Sequence, residues 1–342
     1  MERALTETGW RGQLARMQPT VGVGRRWTGW LAWAAALGAS IAAHASPRGF
    51  HEHSGMANAS AVAVLGGPWF VVASDESNVL RIYRSDQDGG PAGSLDLSPL
   101  AALRGRSDEL DLEGGARLGD RVYWVGSHGR SRDGKPRPNR QRLLATRVAG
   151  RGEQTRLEPV GEPCTRLLQD LLADPRYAAL GLPAATRRAP EQGGVNIEGL
   201  AATPDGGLLA GFRSPLVRGK ALLAPILNPA EAVQGQPVRL GEPVLLDLGG
   251  RGVRDLTWAV QEWFVIGGGV EGAGKPRLYR WKGPGHEPEA LKDTGFKHFK
   301  PEALASRSLD GAAGLELLVL SDDGGRKAAA ATPVFRSFVV TP

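Results

Sequence analysis

The chain has 342 residues, 41% of them hydrophobic, with 48 glycines, 24 prolines and a formal net charge of +6. That length suits one large domain or two ordinary ones, and the Gly and Pro content favours many short strands and turns over long helices. A single cysteine, Cys164, excludes an intramolecular disulfide and any cysteine-rich zinc site.

The first element in chain order is 24-GRRWTGWLAWAAALGASIAAHA-45, with paired Arg25-Arg26, an apolar run, and Ala43-His44-Ala45 ahead of Ser46-Pro47. These are the n-region, h-region and A-x-A site of an export signal peptide, which is expected to span residues 1–45. The arginine pair and the long n-region resemble a twin-arginine signal. A transmembrane anchor is the alternative, but the run falls short of about 20 clean apolar residues. Cleavage would make the mature protein periplasmic or secreted. It would retain 37 basic and 34 acidic residues, a balance too mild to argue for nucleic acid. No later segment is apolar enough to span a membrane.

From residue 60 onward the chain repeats itself. The stretches 60-SAVAVLGGPWFVVASD-75, 113-EGGARLGDRVYWVGSH-128, 198-EGLAATPDGGLLAGFR-213 and 255-DLTWAVQEWFVIGGGV-270 each run from a short strand through a turn to a second apolar strand, with the same 15-residue interval. A fifth copy, 302-EALASRSLDGAAGLELLVLSD-322, fits with a turn five residues longer. A basic residue then opens a third apolar run at Arg81, Arg142, Lys220 and Arg277, and 244-VLLDL-248 supplies a fourth in one unit. Antiparallel units of three or four strands predict an all-β, five-bladed β-propeller over residues 46–342. Six blades or two packed sandwiches are the alternatives. The stretch 167-LLQDLLADPRYAALGL-182, apolar at helical spacing, predicts an inserted helix within about residues 160–190. The last unit lacks a fourth strand, which the residues just after the signal are expected to supply.

In such a blade the start of the innermost strand and the end of the next lie at one mouth. Glu198 should therefore face Arg213, Glu113 should face His128 and have its pKa-raising effect on that ring, and Ser60 should lie near Asp75. Asp255 should open onto Gly267–Gly269, and Glu302 should lie near Asp322. Glu113, Glu198, Asp255 and Glu302 then converge on one axis and must be neutralised. A Ca²⁺-like ion with oxygen ligands, neighbouring Arg and His in a wet channel without metal, or protonation of one member would each do so.

The blocks 111-DLEGGARLGDRVYWVGSHGR-130, 194-GVNIEGLAATPDGGLLAGFRSPL-216 and 299-FKPEALA-305 resemble domain-of-unknown-function family 3616, a resemblance that spans roughly residues 54–325. It implies the propeller fold and leaves the chemistry open. A looser resemblance runs to calcium-dependent lactonase and phosphotriesterase propellers and to the esterase-like phytases. There, Glu-Gly and Asn at inner-strand starts hold a central calcium. Glu113-Gly114 and Glu198-Gly199 match in type and place, while only Asn58 and Asn196 stand near strand starts.

The run 128-HGRSRDGKPRPNRQR-142 carries six Lys/Arg and reads as an anion-binding rim or as a solvated loop. His128 is the proton-transfer candidate, with a structural role as the bland reading. His51 and His53 have a spacing that could hold a metal. No Gly-x-Ser-x-Gly, Walker or His-Glu-x-x-His motif occurs, and no nucleotide or organic cofactor is indicated. The expected protein is a monomeric hydrolase of esters, lactones or phosphoesters. In it a cation on Glu113, Glu198, Asp255 and Glu302 activates substrate or water, and His128 with Glu113 moves the proton. Arg213 with Arg130 would hold the anionic part of the substrate, and Asp75, Asn78 and Asp322 would complete the substrate site. The alternative is a non-catalytic propeller that binds a small anion or a protein partner at the same mouth.

Overall fold

Alternation of apolar and small residues along short strands resolves into five antiparallel sheets of four strands each. The structure, a computed structural model, describes residues 46–103, 109–270, 274–308, 314–323 and 333–342. The expected signal at residues 1–45, and part of the longer turn in the fifth unit, lie outside the described residues. Among the described residues no helix is long and apolar enough to cross a membrane.

The chain opens with β1 (Ser46–Ser54). The first blade is β2 (Ala61–Gly66), β3 (Trp69–Ser74), β4 (Ser77–Arg84) and β5 (Gly93–Asp96). The second is β6 (Leu112–Leu118), β7 (Arg121–Gly126), β8 (Leu143–Ala149) and β9 (Arg156–Cys164). An insert of three short helices follows, α1 (Leu167–Ala173), α2 (Pro175–Ala178) and α3 (Leu182–Ala185). The third blade is β10 (Asn196–Ala202), β11 (Leu208–Ser214), β12 (Ala221–Ile226) and β13 (Val244–Leu246), with α4 (Pro229–Ala232) before its last strand. The fourth is β14 (Gly252–Ala259), β15 (Glu262–Gly268), β16 (Arg277–Trp281) and β17 (Glu289–Ala290). The fifth is β18 (Pro301–Ser308), β19 (Leu315–Ser321) and β20 (Val334–Thr341), and β1 pairs with β20 as its outer strand. The expected closure thus forms: both ends of the domain share one blade.

The insert departs from expectation in one respect. The single helix predicted over 167–182 is broken in three. Pro175 cannot continue α1 and instead starts α2, capped by Asp174, which accepts from the Arg176 amide at 2.9 Å. Gly181, at φ +87°, ends that turn before α3.

The five inner strands neighbour one another in the order β2, β6, β10, β14, β18 and back to β2, so they wall a central channel. Between blades the core is apolar: Trp124, Tyr123, Phe212 and Phe264 are buried almost completely. Each such side chain contributes about 1.5–3 kcal/mol on burial. The Trp124 indole also donates to Thr146 Oγ1 at 3.1 Å, so its polar atom is satisfied. The inner strands approach closely where they carry glycine. A Cβ on Gly199 would lie 2.6 Å from Leu256 Cδ2, and one on Gly114 2.9 Å from Leu200 Cβ. Small residues after the mouth positions are therefore a packing requirement between blades.

Candidate functional site at the mouth of the channel

Four inner strands slip register near their starts. The pairs run Leu112↔Gly126 then Gly114↔Val125, Ile197↔Phe212 then Gly199↔Gly211, Val253↔Gly267 then Asp255↔Ile266, and Pro301↔Ser321 then Ala303↔Leu320. Each slip is a bulge that leaves one residue outside the ladder. Those residues are Glu113, Glu198, Arg254 and Glu302. In the first blade the ladder starts at Ala61↔Ala73, so Ser60 takes the equivalent place. The sequence repeat sets Asp255 in this ring; the ladder sets Arg254 there instead. A one-residue slip exchanges the faces of a strand.

Asp255 accordingly does different work. It is fully buried, and its oxygens accept the amides of Leu256 at 2.8 Å and of Leu304, on the next blade's inner strand, at 2.7 Å. Burial drives its pKa well above the ordinary range, against the lowering by these amides. Its carboxyl ties β14 to β18.

Arg254, absent from the sequence-based site, is the centre of the ion network. Its Nη1 lies 2.7 Å from Glu302 Oε2, 2.8 Å from Glu302 Oε1 and 3.2 Å from Glu198 Oε2. The last contact is an ion pair without hydrogen-bond geometry, since among the described residues no donor is aligned on the buried Glu198 Oε2. Burial opposes the guanidinium's charge, but Glu198, Glu302 and Glu113 together push its pKa up. The expected pair of Glu198 and Arg213 does form: Arg213 Nη1 donates to Glu198 Oε1 at 2.9 Å. Asn196 Nδ2 donates to the same oxygen at 2.7 Å. Arg213 also holds the Gly269 and Val270 carbonyls.

Glu113 stands apart from these pairs. Among the described residues it makes no hydrogen bond, and it is partly exposed at the mouth. Burial raises its pKa well above the ordinary carboxylate range, and Glu198, Asp111, Asp75 and Glu302 add to the rise. Glu302 is lifted to about 7, with burial outweighing the opposing Arg254. Asp111, also missed in the sequence although it opens the Asp-Leu-Glu-Gly block, is lifted to about 7 by burial while Arg140 Nη1, at 3.0 Å, opposes. Asp75 lies near Ser60 as expected, its amide donating to Ser60 Oγ at 3.2 Å. Burial, then Glu76, raises its pKa, with a smaller contribution from Asp322.

Other predicted site residues lie elsewhere. His128 does not pair with Glu113. It adopts φ +58°, is buried, and its Nδ1 sits 2.8 Å from the Gly126 carbonyl. Burial lowers its pKa to about 4, the opposite of the rise expected from a facing carboxylate. Arg130 is drawn to the helical insert, where Nε donates to the Thr186 carbonyl at 2.6 Å. Asn78 bridges blades through Ser98 Oγ and the Leu110 amide. His51 meets exposed Asp88 at 3.0 Å, whereas His53 is buried against Phe70, Tyr83 and Phe335 with Nε2 2.7 Å from Ser337 Oγ. The two histidines thus take separate partners.

The four carboxylates expected to hold calcium do not offer it a shared oxygen set. Arg254 occupies both oxygens of Glu302, Asn196 and Arg213 share Glu198 Oε1, and backbone amides take Asp255. Among the described residues no group of three or more His, Cys, Asp or Glu is disposed to hold a metal ion. A guanidinium bridges the ring where a hard cation was expected.

At the other end of the inner strands lies a cavity of about 890 Å³, with Leu200, Leu256 and Leu304 at its floor and Trp258, Arg117 and Arg307 among its lining. Its cations are engaged: Arg307 pairs with Glu316, and Arg117 holds the Val64 and Gly119 carbonyls.

The model of a family described as protein of unknown function (DUF3616) matches residues 58–158 and 159–318. No curated protein matches the chain. Among solved structures, a putative oxidoreductase (glucose dehydrogenase) from Thermus thermophilus is 17% identical, with 86% of this chain and 100% of that chain covered at a TM-score of 0.42. Glutaminyl cyclase from Myxococcus xanthus is 11% identical, with 87% and 97% covered at a TM-score of 0.48. At these levels the likenesses transfer no activity.

Proposed function

We propose that this chain, which belongs to the DUF3616 family of proteins of unknown function, is a hydrolase of small esters, lactones or phosphoesters that works by acid–base chemistry at the bulge ring. The observation that carries the reading is Glu113: a carboxyl with a strongly raised pKa and no hydrogen-bond partner among the described residues, at a mouth it shares with Glu302, Arg213 and Arg254. Carboxyls pushed to different degrees by their surroundings are suited to acid and base roles. Glu302, with its pKa at about 7, in its ionised form takes a proton from water as the water oxygen bonds to the acyl carbon or phosphorus. The neutral Glu113 carboxyl gives its proton to the departing oxygen as that bond breaks. Arg213 and Arg254, each about 20% exposed, face the negative charge gathering on the substrate.

A screen of esters, lactones and phosphoesters on the mature protein tests this, with turnover in the absence of added metal as the expected result. No turnover of any class would favour the second reading, a non-catalytic propeller binding an anion or a protein partner. The non-catalytic part of that reading draws support from Arg213 and Arg254, whose donors are largely engaged by Glu198, Glu302 and backbone carbonyls in a structural role. The proposal places the domain in the periplasm or outside the cell, with residues 1–45 removed. N-terminal sequencing of the exported protein checks that, and a chain still starting at Met1 would contradict it.

A further inference from the structure

The loop that carries six basic residues sends Arg140 to Asp111 near the channel mouth, but Arg130 and Arg137 turn elsewhere. With the helical insert it walls a separate cavity of about 340 Å³, at the small end of the range for ligand pockets. Among the described residues three arginines border this cavity, and no acidic side chain does. The side chains of Arg137 and Arg188 make no hydrogen bond or ion pair among the described residues, and Arg137 Nε is buried. Arg130 spends Nε and Nη1 on the Thr186 and Gly134 carbonyls, which fix its plane and leave Nη2. One buried guanidinium nitrogen without a partner among the described residues, flanked by two further arginines in a cavity without carboxylates, favours an anion.

His128 adds a second requirement. It is 3% exposed and lines the same cavity. Its Nδ1 faces the Gly126 carbonyl at 2.8 Å, and a carbonyl can only accept, so the proton resides on Nδ1. Nε2 then presents a lone pair, and it is buried without a donor among the described residues. A buried acceptor with no partner is costly unless a ligand or water supplies a hydrogen. The remaining wall is mixed: Leu168 and Val195 are apolar, and Gln141 and Gln169 are polar.

We propose that this cavity binds a small organic anion, a phosphate ester or a carboxylate, that also carries a hydroxyl group. The anionic group faces Arg130, Arg137 and Arg188, and the hydroxyl donates to His128 Nε2. The site is distinct from the bulge ring, and its occupancy does not depend on hydrolysis there.

Isothermal titration of the mature protein with glucose 6-phosphate, gluconate, glucose and inorganic phosphate tests the proposal and separates the two anion sources. Saturable binding of glucose 6-phosphate or gluconate is expected, with glucose and inorganic phosphate at least tenfold weaker. Arg137→Gln combined with Arg188→Gln should weaken the binding at least tenfold, and these partly exposed positions leave the core intact. His128→Asn, chosen because Asn tolerates a positive φ, should weaken the hydroxylated anions toward the level of inorganic phosphate. The proposal is overturned if neither hydroxylated anion binds, if inorganic phosphate binds as tightly as they do, or if the double arginine variant binds them unchanged.

Discussion

Arg254 bridges to Glu302 across a blade boundary, with Nη1 2.7 Å from one carboxylate oxygen and 2.8 Å from the other. The same nitrogen lies 3.2 Å from Glu198 on the opposite neighbouring blade. One cation from the fourth blade thus closes a charge chain through the third and the fifth.

Removing that cation should leave two carboxylates facing each other in a partly desolvated site. Arg254→Ala is expected to lower stability by about 3–5 kcal/mol, read as a lower urea midpoint. Arg254→Lys should recover only part of this, because an ammonium cannot reproduce the planar guanidinium. Wild-type stability in Arg254→Ala would remove the bridge from the account.

Asp255 and Glu113 should separate by role. Asp255→Ala leaves the Leu256 and Leu304 amides without their acceptor, at about 1–3 kcal/mol for each buried group. Glu113→Gln replaces a carboxyl that burial already disfavours as a charge, so its melting temperature should equal or exceed that of wild type. The reverse order of stabilities would show that the two positions have been exchanged.

The ring and the histidines make opposite contributions to pH dependence. Glu302 and Asp111 bind protons in the folded state up to about pH 7, and Glu113 beyond their ordinary range. Their folded pKa values exceed the unfolded ones, so this stability is present in acid and lost as pH rises through the folded values. His53 and His128 are lowered to about 4 from 6.5, so protonation of the unfolded chain costs stability below 6.5. Above pH 6.5 only the acids remain. Melting temperature should therefore fall between pH 6.5 and 8, the window set by Glu302 and Asp111 at about 7. A rise across that window would contradict the raised carboxyls.

How far the sequence revealed this site depends on the backbone at each spoke. Glu198 and Arg213 were legible because a hairpin of fixed length brings their ends together. Arg254 was not, because Asp255 beside it is the more conspicuous charge, and the bulge that this spoke shares with three others leaves no sequence mark of which of the two residues it extrudes. His128 and Glu113 shared the same 15-residue interval, yet the left-handed backbone at His128 takes its ring to the Gly126 carbonyl. Arg130 was misplaced because its partner, the Thr186 carbonyl, belongs to an insert whose docking the repeat does not encode. The blades, their closure and the position of the insert followed from the repeat of short apolar strands and turns, whose middle strands are buried on both faces between neighbouring blades.

Chelation distinguishes the guanidinium bridge from a metal-centred ring. Because Arg254 and Arg213 neutralise Glu198 and Glu302, dialysis against EDTA should leave the melting temperature within about 1 °C of the untreated protein. A drop of several degrees that added Ca²⁺ restores would return the ring to a metal.

The most direct test of the account is turnover by Glu113→Gln, measured on whichever ester, lactone or phosphoester the wild-type protein hydrolyses. The account predicts a fall in kcat of about 10²–10⁴, the range for loss of a general acid, with an unchanged fold and no loss of melting temperature. Wild-type turnover in Glu113→Gln would contradict it.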